Sequence, residues 1–383
     1  MTSSLLQPRN GDRLRPLVVF GTRPEAIKLA PLIRQFQQNS GQISPIVCST
    51  GQHREMLDQV LGYFSITPDL DLGLMRPGQS LAGLTARCIE SVDGVIEQHQ
   101  PDCIVVQGDT TTVMASAMAA FYHRLPVVHV EAGLRTGDLG APWPEEFNRR
   151  VAGLVTTLHC APTQRSRQAL LDEGVPDSQV RVTGNTVIDA LFWSVEKERA
   201  DDTRWRSKYP MATADRVVLV TGHRRENFGG GLEAICQALL ELARLHPETQ
   251  FIYPVHLNPN VKGPVHAALS GCENIHLVPP AQYPEFVWLM DQADVVLTDS
   301  GGVQEEAPSL KCAVLVTRDK TERPEAVDAG LAELVGTDRE LIVRRVSALL
   351  EQSNGRSQQS IQDNPYGDGQ ASRRITDWML SQS

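Results

Sequence analysis

Short runs of aliphatic and β-branched residues recur along the chain, each followed by small or polar residues and then by a stretch with helical spacing. The runs occupy residues 16–21, 44–50, 103–109, 126–133, 217–222, 250–256, 274–280, 294–300 and 313–318. Strands this continuously apolar are covered on both faces, as in parallel sheets. Helices between parallel strands make right-handed βαβ units, so the pattern predicts an α/β fold. The rhythm is interrupted by the charged stretch "SVEKERADDTRWRSKYP" and restarts at "DRVVLVTGHRREN". Two Rossmann-like, doubly wound domains are therefore expected, residues 16–184 and 185–365, hinged near Gly184. Functional residues of such sheets gather at the carboxyl ends of strands, and the cleft between the domains is the expected ligand site. Residues 1–15 carry Arg9, Arg13 and Arg15 without a long apolar core, and read as a loose tail, not a signal peptide.

The strand ends hold the residues that packing does not explain. In "FGTRPEAIK", Thr22 and Glu25 have the spacing of a capping box and Pro24 lies in the first turn, so a helix starts here. Pro31 is expected to kink or interrupt that helix, since an interior proline costs about 3 kcal/mol. Arg23 and Lys28 are either solvated surface charge or part of an anion site, because helix amino termini already attract phosphate. Asp109, after "CIVVQG", is placed to cap a helix, to present a carboxylate, or both. Glu131 follows another apolar run. Glu145 and Glu146 follow two prolines, and one of the pair is expected to supply the amino-terminal charge of a helix.

The second half has its own set. His223, Arg224 and Arg225 at a strand end favour an anion site over a structural histidine. Ser300, Gly301 and Gly302 bridge a strand and a helix, where glycines let backbone N–H groups approach a pyrophosphate and serine adds a donor. A tight βα turn without ligand would have the same spelling. Glu306 stands one turn further on, placed to accept from ribose hydroxyls, and Arg323-Pro324-Glu325 echoes Arg23-Pro24-Glu25. The segment "GGGLEA" lies too far past its strand for a dinucleotide fingerprint. No metal-ligand spacing, GxSxG elbow or Walker loop occurs, so neither a metal nor a cofactor is expected.

Composition narrows the partners. The 383 residues are 41% hydrophobic and 21% charged, with a net charge of −10. That argues against nucleic acid or an anionic membrane as a partner, while a local Arg/Lys cluster still suits a small anion. No stretch nears the ~18 apolar residues of a membrane span. The seven cysteines are scattered, without CxxC, and read as buried free thiols of a cytoplasmic protein.

With these motifs assembled, the chain resembles the non-hydrolysing UDP-N-acetylglucosamine 2-epimerases of bacteria. "FGTRPEAIK", "QHREML", "GDTTT", "HVEAGLRTGD", "PWPEE", "NRR", "GNTVIDAL", "GHRREN", "PVHLNPNV", "TDSGGVQEEAPSL", "TERPEAV" and "NPYGDG" carry the likeness, from about residue 16 to 377. The resemblance implies a glycosyltransferase-B-like pair of domains, UDP held mainly by the second, and a C-terminal helix (within 366–383) packed back on the first. It implies a homodimer with no cofactor, making UDP-N-acetylmannosamine for surface polysaccharides. It assigns Arg23, Lys28, Asp109, Glu131, His223, Phe286, Ser300, Gly301, Gly302, Glu306 and Arg323 to substrate contacts, and Asp109, Glu131, Glu145 and His223 to catalysis. Gln52, His53 and His256 resemble residues with which some members bind a second UDP-N-acetylglucosamine as activator. Three departures stand out: Ala281 where relatives contact uracil through Gln, Lys311-Cys312 within "SLKCAVLV" in place of "SLGKPVLV", and a region around Gly78 that lacks the Arg some activator sites use.

The chemistry is consistent with these residues. The hydrogen on carbon 2 of the hexose is not adjacent to a carbonyl, so direct deprotonation is too slow near neutral pH. Elimination of UDP to 2-acetamidoglucal, then re-addition with the proton returned on the opposite face, avoids that barrier. It needs acid and base groups on both faces of the ring, and Asp109, Glu131 and Glu145 are the candidates. A UDP-sugar-dependent glycosyltransferase, a hydrolysing epimerase and a nucleotide-sugar sensor are the rival readings.

Overall fold

The computed structural model describes residues 5–9, 11–51, 54–76, 78–351 and 364–383. They form two compact units: Met1–Ala190 with Gly369–Ser383, and Leu191–Asp368. Unit 1 alternates β1 (Pro16–Phe20), α1 (Arg23–Gln38), β2 (Ile46–Ser49), α2 (Arg54–Phe64), β3 (Leu70–Asp71), α3 (Leu81–His99), β4 (Cys103–Gln107), α4 (Thr111–Tyr122), β5 (Val127–Val130), α5 (Glu145–Val155), β6 (Leu158–Ala161), α6 (Gln164–Asp172) and β7 (Val180–Val182). The boundary falls inside α7 (Thr186–Ala200). Unit 2 continues with α8 (Thr203–Lys208), β8 (Val217–Thr221), α9 (Gly230–Leu245), β9 (Gln250–Pro254), α10 (Pro259–Leu269), β10 (Ile275–Val278), α11 (Tyr283–Gln292), β11 (Val295–Thr298), α12 (Gly301–Glu306), β12 (Ala313–Val316), α13 (Pro324–Asp328), β13 (Ala332–Leu334) and α14 (Arg339–Glu351). The last helix, α15 (Ala371–Ser381), returns to unit 1 and packs on α1.

Both sheets are parallel. Their orders are β3-β2-β1-β4-β5-β6-β7 and β10-β9-β8-β11-β12-β13. In each, the order reverses once, between β1 and β4 and between β8 and β11, and the carboxyl ends there are where such sheets place ligands. Every residue of β1 and β4 is buried, as strands covered by helices on both faces require. The apolar runs thus become central strands and one edge strand, β10. Four strands lie outside them. β3, β7 and β13 close sheet edges, are only two or three residues long and are part-exposed, so no apolar run marks them. β6 is interior and buried, but His159 breaks its apolar spelling.

Three expectations change. The 1–15 segment is not a loose tail in its described part: Leu6 and Leu14 are buried, and the Arg9 and Arg15 N–H groups donate to the Asp102 carboxylate at 2.6 and 2.7 Å. The boundary lies six residues beyond Gly184, because the start of α7 is tied into unit 1. Asp189 there accepts from the N–H groups of Ala371 and Ser372 at 3.1 and 2.7 Å, a carboxylate at the amino end of α15. Nor does Pro31 interrupt α1, which runs through it. Seven apolar side chains on the helix are buried, Ala26, Ile27, Leu29, Ala30, Leu32, Ile33 and Phe36, and that packing outweighs the missing hydrogen bond.

Candidate active site

Unit 1 gathers its polar groups at the ends of β1, β4 and β5. The capping box at α1 is formed. Thr22 Oγ1 accepts from the Glu25 N–H at 3.4 Å, while Glu25 accepts from the N–H groups of Gly21 and Thr22 at 3.0 and 2.7 Å. Thr110 Oγ1 also donates to Glu25 at 2.7 Å, joining the β1 and β4 turns. Burial raises the pKa of Glu25 against the lowering by these hydrogen bonds. Gly21 is required by space: an added Cβ would stand 2.3 Å from Thr50 Oγ1 and 2.6 Å from Thr112 Oγ1.

Two carboxylates occupy this switch point, each against its own cation. Lys28 Nζ lies 2.6 Å from Glu131 Oε1, which also accepts from Asn185 Nδ2 at 2.9 Å; Gln107 Nε2 donates to the other oxygen. Glu131 is buried and held at φ +63°, a left-handed conformation unusual for glutamate. Such strain in a non-glycine residue persists where surrounding contacts over-determine it. Arg149 Nη2 donates to Asp109 Oδ2 at 2.6 Å, and Asn148 Nδ2 donates to the Asp109 backbone carbonyl at 2.9 Å. Asp109 does not cap α4; Thr110 does, accepting from the Val113 N–H at 3.3 Å. Burial pushes the pKa of Asp109 up, Arg149 pulls it down, Glu131 pushes it up again and Lys28 pulls it down, with a net rise.

Both members of the acidic pair lie in the first turn of α5. Glu146 is fully buried, accepts from the N–H groups of Thr136 and Gly137, and pairs with Arg149 and Arg150 at 3.3 and 3.0 Å. Glu145 is half-buried beside it. Arg23 is exposed at the first position of α1. His129, two residues before Glu131, donates from Nε2 to the Gly108 carbonyl at 2.7 Å, and burial lowers its pKa to about 4, so the ring is neutral.

Unit 2 repeats the plan at the ends of β8 and β11. Asp299 is buried and accepts from the backbone N–H groups of His223 and Arg224, both at 2.8 Å; the His223 ring Nδ1 lies 3.2 Å from its second oxygen. Burial works to raise the pKa of Asp299, but these bonds outweigh it and hold the group below the usual carboxylate range. The His223 ring stacks on His256, centroids 5.8 Å apart. Ser300 stands at the start of α12, and Arg224 Nη2 lies 3.8 Å from where a Cβ on Gly301 would stand. Glu306 Oε1 is 3.5 Å from the same construction on Gly302. Phe286 is half-buried in the first turn of α11.

Arg323 donates from Nε to the buried carboxylate of Glu305. Asn364 of "NPYGDG" braces the same helix, donating to Ser309 Oγ at 2.6 Å and to the Glu305 carbonyl at 3.2 Å. Gln52 and His53 lie outside the described residues. Lys311 sits at φ +64°, the left-handed conformation that a glycine adopts without penalty. Arg149, Asn148, Asp299, Glu305 and His129 are absent from the sequence-derived site. Each lies within a motif that carries the family likeness, "HVEAGLRTGD", "NRR" or "TDSGGVQEEAPSL", and that placement is their only local signal.

The arrangement offers paired, charge-balanced carboxylates in unit 1, and in unit 2 a turn of backbone donors beside an arginine and a carboxylate-oriented histidine. Comparisons with known proteins point the same way. The family profile described as UDP-N-acetylglucosamine 2-epimerase matches residues 35–380. A Yersinia pestis protein named UDP-N-acetylglucosamine 2-epimerase is 55% identical over 366 residues, 94% of this chain and 97% of the relative. The crystal structure of the Neisseria meningitidis UDP-GlcNAc 2-epimerase bound to UDP-GlcNAc matches with a TM-score of 0.86 at 47% identity, covering 96% of this chain and 100% of that one. The Methanocaldococcus jannaschii UDP-GlcNAc 2-epimerase, solved with UDP-GlcNAc and UDP, matches with a TM-score of 0.77 at 30% identity, over 96% and 100% of the two chains.

Proposed function

We infer the function from one premise: the chain belongs to the UDP-N-acetylglucosamine 2-epimerase family. It interconverts UDP-N-acetylglucosamine and UDP-N-acetylmannosamine by reversible inversion at carbon 2. The observation that carries this reading is the pair Asp109 and Glu131, two carboxylates at adjacent strand ends, each fixed by a separate cation. Removing a proton from one face of a ring and returning it to the other needs more than one acid–base group, and this pair meets the need.

The steps follow from the residues. Unit 2 takes the nucleotide, with the Ser300–Gly302 turn, Arg224 and His223 opposite the diphosphate. One carboxylate of unit 1 removes the carbon-2 proton. The carbon-1 to oxygen bond breaks with its electron pair leaving on UDP, and a carbon-1 to carbon-2 double bond forms. Positive groups at the diphosphate stabilise the departing charge. Re-addition of UDP at carbon 1, with a proton delivered to the opposite face of carbon 2, gives the epimer. Glu145 is the third acid–base candidate, and Arg23 and Lys28 are the cations of unit 1 assigned to the substrate. Arg323, Glu306 and Phe286 complete the proposed nucleotide contacts; Arg323 must then serve UDP while paired with Glu305.

One NMR time course with UDP-N-acetylglucosamine alone in D₂O tests the reading. The expected outcome is UDP-N-acetylmannosamine, with deuterium at carbon 2 of both sugars. Free N-acetylmannosamine with UDP would identify a hydrolysing enzyme. Turnover only after an acceptor is added would identify a glycosyltransferase, and binding without product a sensor.

Regulation by substrate belongs to the same proposal. His256 stacks on His223, so a second UDP-N-acetylglucosamine held at His256 would bear directly on a group of the catalytic set. Initial rates sigmoidal in substrate, becoming hyperbolic in His256→Ala, are the expected result; hyperbolic wild-type rates would remove the activator. We assign the reaction to the cytoplasm on the seven free cysteines. Among the described residues no helix is long and apolar enough to cross a membrane.

A further inference from the structure

Asp109 does not stand alone in unit 1. Arg149, one turn into α5, reaches it across 40 positions of sequence and donates to Oδ2 at 2.6 Å. Oδ1 accepts no hydrogen bond from the protein among the described residues. The guanidinium is itself nine-tenths buried, and Nη1 lies 3.3 Å from Glu146 Oε2. Glu146 is fixed in turn by the backbone N–H of Thr136 at 3.1 Å. The next residue toward the amino end, Asn148, holds the backbone of Asp109 at 2.9 Å. Side chain and main chain of Asp109 are therefore both gripped by consecutive residues of one helix.

A long cation buried in this way serves stability poorly, since removing two charges from water offsets most of their attraction. It does control ionisation. The charged groups facing Asp109 are Arg149 from α5, Lys28 from α1 and Glu131 from the end of β5. Lys28 is in direct contact with Glu131, which leaves Arg149 as the cation in contact with Asp109. Burial and Glu131 both favour the protonated form of Asp109, and a protonated group cannot take a proton.

We propose that Arg149 is a positioning residue for the epimerisation: it holds Asp109 ionised and turned so that Oδ1 is the oxygen that exchanges the carbon-2 proton. This rests on the function inferred above. The residue touches Asp109 and not the reacting atoms, so its effect is on when Asp109 can act.

The test is the pH profile of kcat for wild type, Arg149→Gln and Arg149→Lys, with UDP affinity measured beside it. Asp109 must be ionised to accept a proton, so loss of the cation raises its pKa and moves the acid limb to higher pH. The Gln variant is expected to shift that limb up by about one to three pH units. The Lys variant should recover part of the shift, and both should bind UDP within about twofold of wild type. An acid limb that stays in place in Arg149→Gln overturns the proposal. If that variant turns over too slowly to profile, the carboxyl ¹³C titration of Asp109 in selectively labelled protein decides. A raised midpoint supports the role, and an unchanged midpoint removes it. That titration needs no substrate, so it separates failure of this inference from failure of the epimerase reading, which wild-type protein without carbon-2 inversion would reveal.

Discussion

At the residue scale, the features with most bearing on chemistry are carboxylates whose surroundings were chosen for them by distant parts of the chain. Asp299 is the clearest. Its two oxygens hold the His223 ring and two successive backbone N–H groups, so it fixes both the ring and the turn that carries it. Asp299→Asn is expected to destabilise the protein by about 1–3 kcal/mol at pH 7, because buried donors lose a charged acceptor. The pH dependence has a definite sign. The folded pKa is lowered from 3.8, so the stabilisation is complete above the unfolded value and lost as pH falls through the folded one. Denaturant midpoints of wild type and variant should therefore differ at pH 7 and begin to converge only as the pH falls below about 4. A constant gap across that range would mean that the carboxylate charge contributes nothing.

The sequence made some of this legible. Asp109 and Glu131 are visible because an acid directly after an apolar run has no packing reason to be there. The contacts that fix Asp109 and Asp299 are not visible, since Arg149 and His223 lie 40 and 76 positions away from them, distances set by sheet order and not by local spelling. Arg323 is the opposite case. Its likeness to Arg23 suggested a ligand contact, yet the fold sets it against buried Glu305, while Arg23 stays exposed.

At the element scale, most interior strands and the edge strand β10 follow from apolar runs, while the edge strands β3, β7 and β13 do not, because they are short, half face water and need no apolar code. Helix α1 shows how far packing can overrule local preference. Pro31 removes the N–H that would bond to the Ile27 carbonyl, and the helix persists on its buried face. Pro31→Ala should restore that hydrogen bond and stabilise the protein by about 1–3 kcal/mol. An upward shift of the urea midpoint checks it; no shift would mean that the carbonyl already has a substitute partner. Lys311 is a like conflict in a turn, a long side chain at a left-handed backbone position that favours glycine. Lys311→Gly should relieve the left-handed strain and add up to about 1 kcal/mol, read in the same denaturation series.

At the scale of the molecule, unit 1 leaves large apolar side chains uncovered at the carboxyl ends of α4 and α5, which pack on each other. Phe121, Tyr122 and Leu154 are 58, 63 and 86% exposed. Apolar surface of this kind suits an interaction site, and a second copy of the chain is the occupant that the homodimer implied by the family resemblance would supply. Light scattering at micromolar concentration should give twice the chain mass for the wild type and a lower mass for Leu154→Asp. A monomeric wild type would end the dimer proposal.

The return of α15 to unit 1 has a consequence for biosynthesis. The helix that covers α1 is translated only after the whole of unit 2. While unit 2 is still emerging from the ribosome, the nascent first unit carries a bare apolar flank and an Asp189 without the amide groups it later binds. Completion of the first unit to be made therefore waits on release of the last segment, and a nascent chain stalled before residue 369 would hold Asp109 and Glu131 on an unfinished scaffold.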